Sequence, residues 1–157
     1  RLATEKNLDA FLSLDLPGTK LVVGDGPDME RLKKTFPEAV FLGEKPNHEL
    51  PAIYAAADVF MFPSLTDTFG LVLVEALASG TPVAAFPVPG PLDVVGGSGV
   101  GMLDHDLRVA ALAALRVPRE DCRRHAERFT WAASAVQFRD NVLAAATIHP
   151  AGARAAA

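Results

Sequence analysis

The sequence has little that marks a secreted, membrane-spanning or nucleic-acid-binding protein. Cys122 is the single cysteine, which excludes an internal disulfide and a zinc cluster built on thiolates. The 15 basic residues are outnumbered by 19 acidic ones, whereas non-specific nucleic-acid binders usually present a basic face. No apolar run approaches the roughly 18 residues of a membrane span, because the most hydrophobic stretch, residues 52–63, contains Asp58. These absences favour a cytoplasmic protein with no transmembrane segment and no nucleic-acid partner.

Several short site motifs are also missing. Gly24-Asp-Gly26 follows an apolar run, as a dinucleotide-binding turn would, but Met29 stands where the third glycine is required. A nicotinamide oxidoreductase is therefore disfavoured, and a tight strand-to-helix turn explains both glycines. Neither a Walker-type phosphate loop nor the nucleophile elbow of hydrolases occurs. The four histidines show no pair at helical spacing, so no metal site is predicted.

What the chain does contain is an alternation of short apolar runs with amphipathic stretches. Its 157 residues are 50% hydrophobic, enough for one domain whose core needs no disulfide. Apolar runs predict strands at residues 20–24, 40–43, 58–62 and 81–85. Helices are predicted at residues 27–35, 49–56, 71–79, 106–117, 119–129 and 130–146, with Asn47 capping the second and Thr130 the last. Unbroken apolar strands separated by helices predict an α/β fold with a parallel sheet covered on both faces.

Two stretches fall outside this alternation. Residues 87–101 are rich in glycine and proline and are predicted to form a long loop or a short-helix connection, a place where binding groups are often found. Residues 147–157 are rich in alanine, and we expect them to be a disordered tail beyond a domain of residues 1–146. The first residue is Arg1 rather than methionine, and a structured pattern begins at once, so we expect a piece of a longer protein.

The most informative segment is 66–76, Thr-Asp-Thr-Phe-Gly-Leu-Val-Leu-Val-Glu-Ala. A loop ends at Gly70 and a helix is predicted from Leu71, whose free N–H groups and positive dipole end can hold a phosphate or a sugar hydroxyl. Glu75, about one turn into the helix, could accept hydrogen bonds from a vicinal diol such as ribose. Asp67 could face the group attached to the far phosphate. Spacing alone leaves a structural alternative open, because acidic residues near a helix N-terminus are favoured by the dipole.

Several motifs together resemble the retaining glycosyltransferases of the GT-B fold, glycosyltransferase family four. Segment 66–76 is flanked by Phe62-Pro-Ser64 and Ala78-Ser-Gly-Thr-Pro-Val83. The other matching motifs, in the family's order, are Arg1 with Lys6, Val22-Val-Gly-Asp-Gly-Pro27, Phe41-Leu-Gly43 and Pro89-Gly-Pro-Leu-Asp93. The Thr-Asp-Thr-Phe-Gly form is similar to a subgroup of sulfolipid-synthase-like and mannosyltransferase-like enzymes, and the resemblance extends to about Leu143.

The resemblance implies a Rossmann-like three-layer α/β/α domain, the C-terminal half of a GT-B enzyme, which holds a nucleotide-sugar donor. Asp67 would lie near the transferred sugar, and Lys6 and Arg1 would pair with the diphosphate as catalytic residues. Glu75 would bind the ribose. The resemblance implies three further sets of donor contacts. Backbone groups of Phe69, Gly70 and Leu71 would contact the donor before and at the start of the helix. Gly43 and Lys45 would lie near the base, and Asp93, in the altered loop, would lie near the sugar.

The resemblance also implies that no metal or other cofactor is needed, and that the donor carries UDP or GDP. The acceptor would bind largely to an N-terminal domain of the same protein, so the chain alone would transfer little sugar. If the acceptor is a lipid, the full-length protein would also make peripheral contact with the inner face of the membrane. The helix at 130–146 would lack part of its docking surface unless it folds back. Asp67 replaces the family's more usual glutamate, and Gly90-Pro-Leu-Asp93 departs from its common loop. A nucleotide-sugar epimerase and a catalytically dead nucleotide-binding module remain as alternatives.

Overall fold

Short parallel strands followed by helices form an α/β fold. The computed structural model describes residues 1–148, and the chain divides into two compact units, the first Arg1–Ala126 and the second beginning at Glu127. After a short 3-10 helix, Thr4–Lys6, the strands are β1 (Leu21–Val22), β2 (Val40–Phe41), β3 (Phe60–Phe62), β4 (Val83–Ala85) and β5 (Gly101–Leu103). The helices are α1 (Leu8–Leu12), α2 (Met29–Thr35), α3 (Leu50–Ala56), α4 (Leu71–Ala78), α5 (Pro89–Val94), α6 (Leu107–Ala114), α7 (Arg119–Ala126) and α8 (Trp131–Ile148).

All strand pairs among the described residues are parallel, as the unbroken apolar runs predict. β1 pairs with β2, and the other strands follow the order β3-β4-β5, with Ala84 of β4 opposite Met61 and Met102. The single predicted sheet is therefore present as a two-stranded and a three-stranded sheet. The Met61 side chain packs against the cluster that contains Val22 of β1, so side-chain packing joins the two sheets where backbone hydrogen bonds do not.

The core lies around β4 and on the inner faces of α2, α4 and α6. All three residues of β4 are buried. On one side Ala84 packs against three alanines of α6, Ala110, Ala111 and Ala114, and such small side chains allow the helix to approach the strand closely. Leu12 and Leu32, almost fully buried, belong to a second cluster beside β1. This scaffold fixes the loops that follow the strands.

Helix α4 has clear start and stop signals in the sequence. Gly70 is its N-cap residue, with a φ of 77° that favours glycine. After Ala78, Gly80 adopts a φ of 78° and donates its N–H to the Leu77 carbonyl at 2.8 Å, a common way to end a helix. Leu73, Ala76 and Leu77 are fully buried, and this apolar face anchors the helix. The predicted start at Leu71 and stop near Gly80 are confirmed.

Some element boundaries differ from the predictions. Asn47 does not cap α3, because the helix begins at Leu50 with Glu49 as its N-cap residue. Strand β5 lies at the end of the stretch predicted to be a loop or a short-helix connection. The glycines between residues 96 and 101 conceal the strand in the sequence. Helix α5 confirms the short-helix alternative for the same stretch.

Helix α8, described here by itself, runs two residues beyond the predicted end at 146. The Thr130 hydroxyl accepts the Ala133 N–H at 3.0 Å, which confirms the predicted cap. Trp131 and Phe138 are 92% and 71% exposed. Residues 149–157, which make up most of the expected tail, lie outside the described part of the chain.

Candidate functional site

The candidate site residues lie on segments that follow the strands. Gly43 and Lys45 follow β2, Asp67 lies in the loop after β3, and Asp93 lies in α5 after β4. In parallel α/β sheets, ligands bind outside the carboxyl ends of the strands, where such loops meet. These four residues therefore lie on the side of the sheets where the strands end.

The N-terminal segment lies across the turn at Gly24 and Gly26. The Leu2 N–H donates to the Asp25 carbonyl at 2.8 Å, and the Leu2 carbonyl accepts the Asp28 N–H at 3.2 Å. A Cβ at Gly26 would stand 2.3 Å from the Leu2 oxygen, so close approach of Leu2 requires glycine there. The Asp28 N–H at the start of α2, which could serve a pyrophosphate in a dinucleotide site, is used by Leu2.

This placement of the N-terminal segment carries Lys6 to the loop after β3. Lys6 Nζ lies 2.8 Å from both Oδ1 and Oδ2 of Asp67. The next residue, Asn7, donates its side-chain N–H to the Pro63 carbonyl at 3.1 Å and has a left-handed φ of 52°. Two predicted catalytic side chains, 61 positions apart in the sequence, are thus in direct contact.

The environment of Asp67 keeps it ionised. Burial of the carboxylate raises its pKa, but hydrogen bonds from Lys6 and Ser64, together with the charge of Lys6, outweigh burial and hold the pKa below its ordinary value of 3.8. Ser64 is 1% exposed, and its hydroxyl also lies 3.3 Å from the Glu5 carbonyl. At neutral pH an ammonium and a carboxylate therefore face each other at this edge.

The N-terminus of α4 follows directly in the same loop. A Cβ on Gly70 would lie 3.1 Å from Leu73 Cδ1 and 3.3 Å from Phe62 Cζ, so the backbone there passes close to the core. No side chain caps the helix, and Leu71, its first residue, is 68% exposed. The first N–H groups of α4 are therefore available to an anion or a hydroxyl.

Helix α5 packs against the backbone of the same loop. A Cβ on Gly90 would come within 3.0 Å of the carbonyl oxygens of both Asp67 and Phe69, so the absent side chain lets α5 approach the loop. Phe69 is 38% exposed. Asp93, nearly one turn beyond Gly90, is exposed. The altered loop of the sequence analysis is thus in contact with the segment that carries Asp67.

Glu75 lies one turn into α4, where it contacts α3. The Tyr54 hydroxyl donates to Glu75 Oε2 at 3.1 Å. Burial of Tyr54, and then the charge of Glu75, raises the pKa of the Tyr54 hydroxyl, which keeps its proton available for donation. Both side chains line a groove of about 420 Å³ between α3, α4 and α7, which also includes Asn47 and Arg123.

Other predicted residues have separate partners. The Arg1 guanidinium pairs with Glu5 and is 70% exposed, so it is not among the contacts of the Asp67 carboxylate. Gly43 accepts the Gly24 N–H at 2.8 Å through its carbonyl and has a φ of 71° with open space around it. Lys45 lies 3.8 Å from Glu49. The structure therefore brings Lys6 into contact with Asp67, whereas Arg1, Gly43 and Lys45 contact other residues.

Three polar residues at the site received no role in the sequence analysis. Ser64 and Asn7 tie the N-terminal segment to the β3 loop, and Tyr54 holds Glu75. Ser64 lies two residues after the end of β3, and Tyr54 is the single tyrosine of the chain. These are the signals that could have marked the two residues. Their partners are distant in sequence, so spacing could not identify their contacts.

The candidate residues offer three chemical features, two of them in the loop after β3 and the third in the groove beside α4. A helix N-terminus and the ammonium of Lys6 suit a negatively charged group. The exposed carboxylate of Glu75 suits a pair of hydroxyls, and Asp67 offers a second carboxylate beside the ammonium. These features suit phosphate and hydroxyl groups.

Two features are absent from the described residues. Within residues 1–148, no group of three or more His, Cys, Asp or Glu side chains could hold a metal ion. No helix in that same part of the chain is both long and apolar enough to cross a membrane.

Sequence comparisons identify relatives of the chain. The family described as Glycosyl transferases group 1 matches residues 8–117. A GDP-mannose-dependent alpha-mannosyltransferase of Mycobacterium tuberculosis is 42% identical over 105 residues, which cover 66% of this chain and 28% of that protein. Sulfoquinovosyl transferase SQD2 of Arabidopsis thaliana is 34% identical over a 165-residue alignment that covers 93% of this chain and 32% of that protein. The chain thus spans about a third of the length of these relatives or less.

Solved structures share the fold. Sucrose-phosphate synthase from Thermosynechococcus elongatus matches with a TM-score of 0.69 at 28% identity, over 90% of this chain and 42% of that one. Anabaena Alr3699/HepE, solved in complex with UDP, matches with a TM-score of 0.69 at 21% identity, over 92% of this chain and 47% of that one. The predicted fold class, an α/β fold with parallel strands, is confirmed.

Proposed function

The chain belongs to the family of group 1 glycosyl transferases, and from this premise we propose that it is the donor-binding domain of a retaining, family-four enzyme. In this proposal the enzyme moves a hexose from a nucleoside diphosphate sugar to an acceptor and keeps the anomeric configuration. The bond between the anomeric carbon and the diphosphate oxygen breaks, and a bond to an acceptor oxygen forms on the same face of the sugar.

The observation that carries the proposal is the contact of Lys6 with Asp67 beside the N-terminus of α4. An ion pair held across 61 positions at 2.8 Å, with an uncapped helix start three residues further along the loop, has no evident need as a packing element. Surface ion pairs contribute only about 0–1 kcal/mol to stability. A site for a charged ligand explains the arrangement better than a structural role.

Charge on the leaving diphosphate is the main electrostatic demand of the proposed reaction. Lys6 supplies a cation, and the backbone N–H groups of Gly70 and Leu71 supply donors fixed in direction by the helix start. Fixed donors of this kind stabilise developing charge without reorganising. In this proposal they fill the role that a metal ion has in other transferases, and Arg1 joins them once it leaves Glu5.

The other donor contacts follow from position. Glu75 accepts hydrogen bonds from the ribose hydroxyls, and backbone groups from Gly43 to Lys45 meet the base. Asp67 faces the transferred sugar, next to Phe69 and the α5 segment that carries Asp93. The pair of Lys6 with Asp67 thus lies at the junction between diphosphate and sugar.

UDP and GDP are the proposed nucleotides. The Mycobacterium tuberculosis relative is described as GDP-mannose-dependent, and the Anabaena neighbour was solved with UDP. The acceptor site is proposed to belong to the portion of such enzymes that this chain does not span, so the chain alone binds donor weakly and transfers little. The reaction is placed in the cytoplasm, at the inner membrane face where the acceptor is a lipid.

Calorimetric titration tests the proposal. The chain is titrated with UDP, GDP, ADP and their common sugar conjugates, beside the variants Lys6→Ala and Glu75→Ala. The matched controls are Lys33→Ala and Glu30→Ala, which remove an exposed ion pair of 3.5 Å on α2. We expect saturable binding of one nucleotide, weakened about tenfold or more by each site variant, which is about 1.4 kcal/mol, and unchanged by the controls.

Three results would overturn the proposal. Nucleotide binding that the site variants leave intact would place the nucleotide elsewhere. Absence of binding both to this chain and to a longer protein that includes the remainder of the relatives' length would leave the dead-module alternative. Epimerisation of a nucleotide sugar by the longer protein, without transfer to an acceptor, would favour the epimerase alternative.

A further inference from the structure

The contact between Tyr54 and Glu75 is not explained by the roles proposed so far. Tyr54 lies near the end of α3 and Glu75 lies in α4, and the tyrosine hydroxyl donates to one carboxylate oxygen, Oε2, at 3.1 Å. Glu75 is exposed, so solvation alone could satisfy its carboxylate. The half-buried Tyr54 therefore donates a hydrogen bond to a carboxylate that water could also have solvated.

Tyr54 is itself firmly held. Its ring meets the ring of Phe60 edge-on, with centroids 5.4 Å apart, a favourable arrangement for two aromatic rings. Its backbone carbonyl accepts the hydroxyl of Thr81 at 2.5 Å, and Thr81 is fully buried. The tyrosine thus links Glu75 to β3 and to the segment before β4, two rigid parts of the fold.

The side chain of an exposed glutamate is mobile unless something restrains it. When such a side chain binds a ligand it loses rotational freedom, and this loss weakens binding. A hydrogen bond that already fixes the carboxylate removes part of that loss before the ligand arrives. Only Oε2 of Glu75 is used by Tyr54, which leaves Oε1 directed by the same restraint.

We propose that Tyr54 is a positioning residue, which orients the Glu75 carboxylate so that the oxygen it does not contact accepts hydrogen bonds from the ribose hydroxyls of the donor nucleotide. The inference rests on the proposed function of Glu75. Arg123 also lines the groove, and its Nε donates to the Ala78 carbonyl at 3.3 Å. The hydrogen bond given to the Glu75 carboxylate comes from the neutral hydroxyl of Tyr54.

Tyr54→Phe removes the hydroxyl and keeps the ring that packs on Phe60. We expect the affinity for UDP or GDP, whichever binds, to fall about threefold to tenfold, as expected when a side chain must be immobilised on binding. The 2′-deoxy and 3′-deoxy forms of that nucleoside diphosphate give the discriminating measurement. The analogue that lacks the hydroxyl bound by Glu75 should bind the wild type weakly and lose nothing further in Tyr54→Phe.

Ser79→Ala is the matched control. Ser79 lines the same groove and donates its hydroxyl to the backbone carbonyl of Glu75 at 2.9 Å, so this variant removes a hydroxyl bonded to Glu75 without touching its carboxylate. It should bind ribonucleotide and deoxynucleotide as the wild type does. An equal loss in Ser79→Ala and Tyr54→Phe would mean that groove packing, not orientation of the carboxylate, sets the affinity, and would overturn the inference.

Tyr54 is the single tyrosine of the chain, so labelling tyrosine with ¹³C at Cζ gives one NMR resonance. Its shift should change in Glu75→Gln and again when the nucleotide binds. If the wild type binds nucleotide, and Tyr54→Phe binds the nucleotide and each deoxy analogue with the same affinity as the wild type does, the positioning role is wrong. The proposed function then stands. If neither this chain nor the longer protein binds any nucleotide, both fail.

Discussion

The Lys6 ammonium contacts both carboxylate oxygens of Asp67, with Nζ 2.8 Å from each. In the proposed function, an incoming diphosphate draws the Lys6 ammonium away from Asp67 or shares it. Asp67 then accepts hydrogen bonds from sugar hydroxyls. Exchange of partners within this ion pair would couple the contact with phosphate to the contact with the sugar.

Removing the cation should raise the pKa of Asp67. Lys6→Met takes away a hydrogen bond and a positive charge, while burial, which raises the pKa, remains. Because the folded pKa lies below the unfolded value of about 3.9, the stabilisation from this pair is fully present above that value. It is lost as the pH falls through the folded pKa. Titration of the ¹³Cγ resonance of Asp67 measures the change.

Lys33→Met is the control for this titration, because Lys33 pairs with Glu30 on α2. The Asp67 titration should not move in that variant. An Asp67 pKa that is the same in Lys6→Met and in the wild type would show that the contact does not persist in solution. The role of Lys6 as a mobile partner would then have to be abandoned.

Gly26→Ala should displace the N-terminal segment. The new Cβ would lie 2.3 Å from the Leu2 carbonyl oxygen, and such an overlap costs about 1–3 kcal/mol. Gly18→Ala provides the comparison, since Gly18 has a positive φ of 91° and nothing within 4 Å of an added Cβ. Gly18→Ala therefore has the strain of a positive φ without any overlap, which costs about 1–2 kcal/mol.

Urea denaturation of both variants separates overlap from strain. If the N-terminal segment detaches while the rest stays folded, the Asp67 pKa should rise as in Lys6→Met. Equal stability of the two variants, with an unchanged Asp67 titration, would mean that Leu2 does not lie on the turn.

Much of the α4 region could be predicted from sequence because its signals are local. Gly70, the helix formers after it and Gly80 are neighbours in the chain, and each acts on its own backbone. The contact of Tyr54 with Glu75 could not be predicted, because it depends on how α3 and α4 pack. Strand β5 was also missed because its signal depends on packing. Gly101 is typical of a loop in the sequence, but in the structure it pairs with Val83 so closely that a Cβ would lie 2.5 Å from the Val83 carbonyl oxygen.

The buried face of α4 supports the site, and it should contribute far more to the free energy of unfolding than the exposed face of the same helix. Leu73→Ala opens a cavity at a fully buried position, which costs about 2–5 kcal/mol. Leu71→Ala, in the same helix but at a residue 68% exposed, should change the free energy of unfolding by no more than about 0.5 kcal/mol. Urea denaturation of the pair measures both, and similar losses would contradict the assigned face of the helix.

Trp131 should report the environment of α8, since it is the single tryptophan and is 92% exposed. Its fluorescence in this chain should be quenched by iodide almost as strongly as in the urea-unfolded chain, with little change in emission maximum. If α8 docks against the portion of the enzyme that this chain does not span, as the family resemblance implies, quenching should fall in the longer protein. Phe138→Ser, also on α8 and 71% exposed, should leave the stability of this chain unchanged. Strong protection of Trp131 from iodide in this chain alone would contradict the prediction.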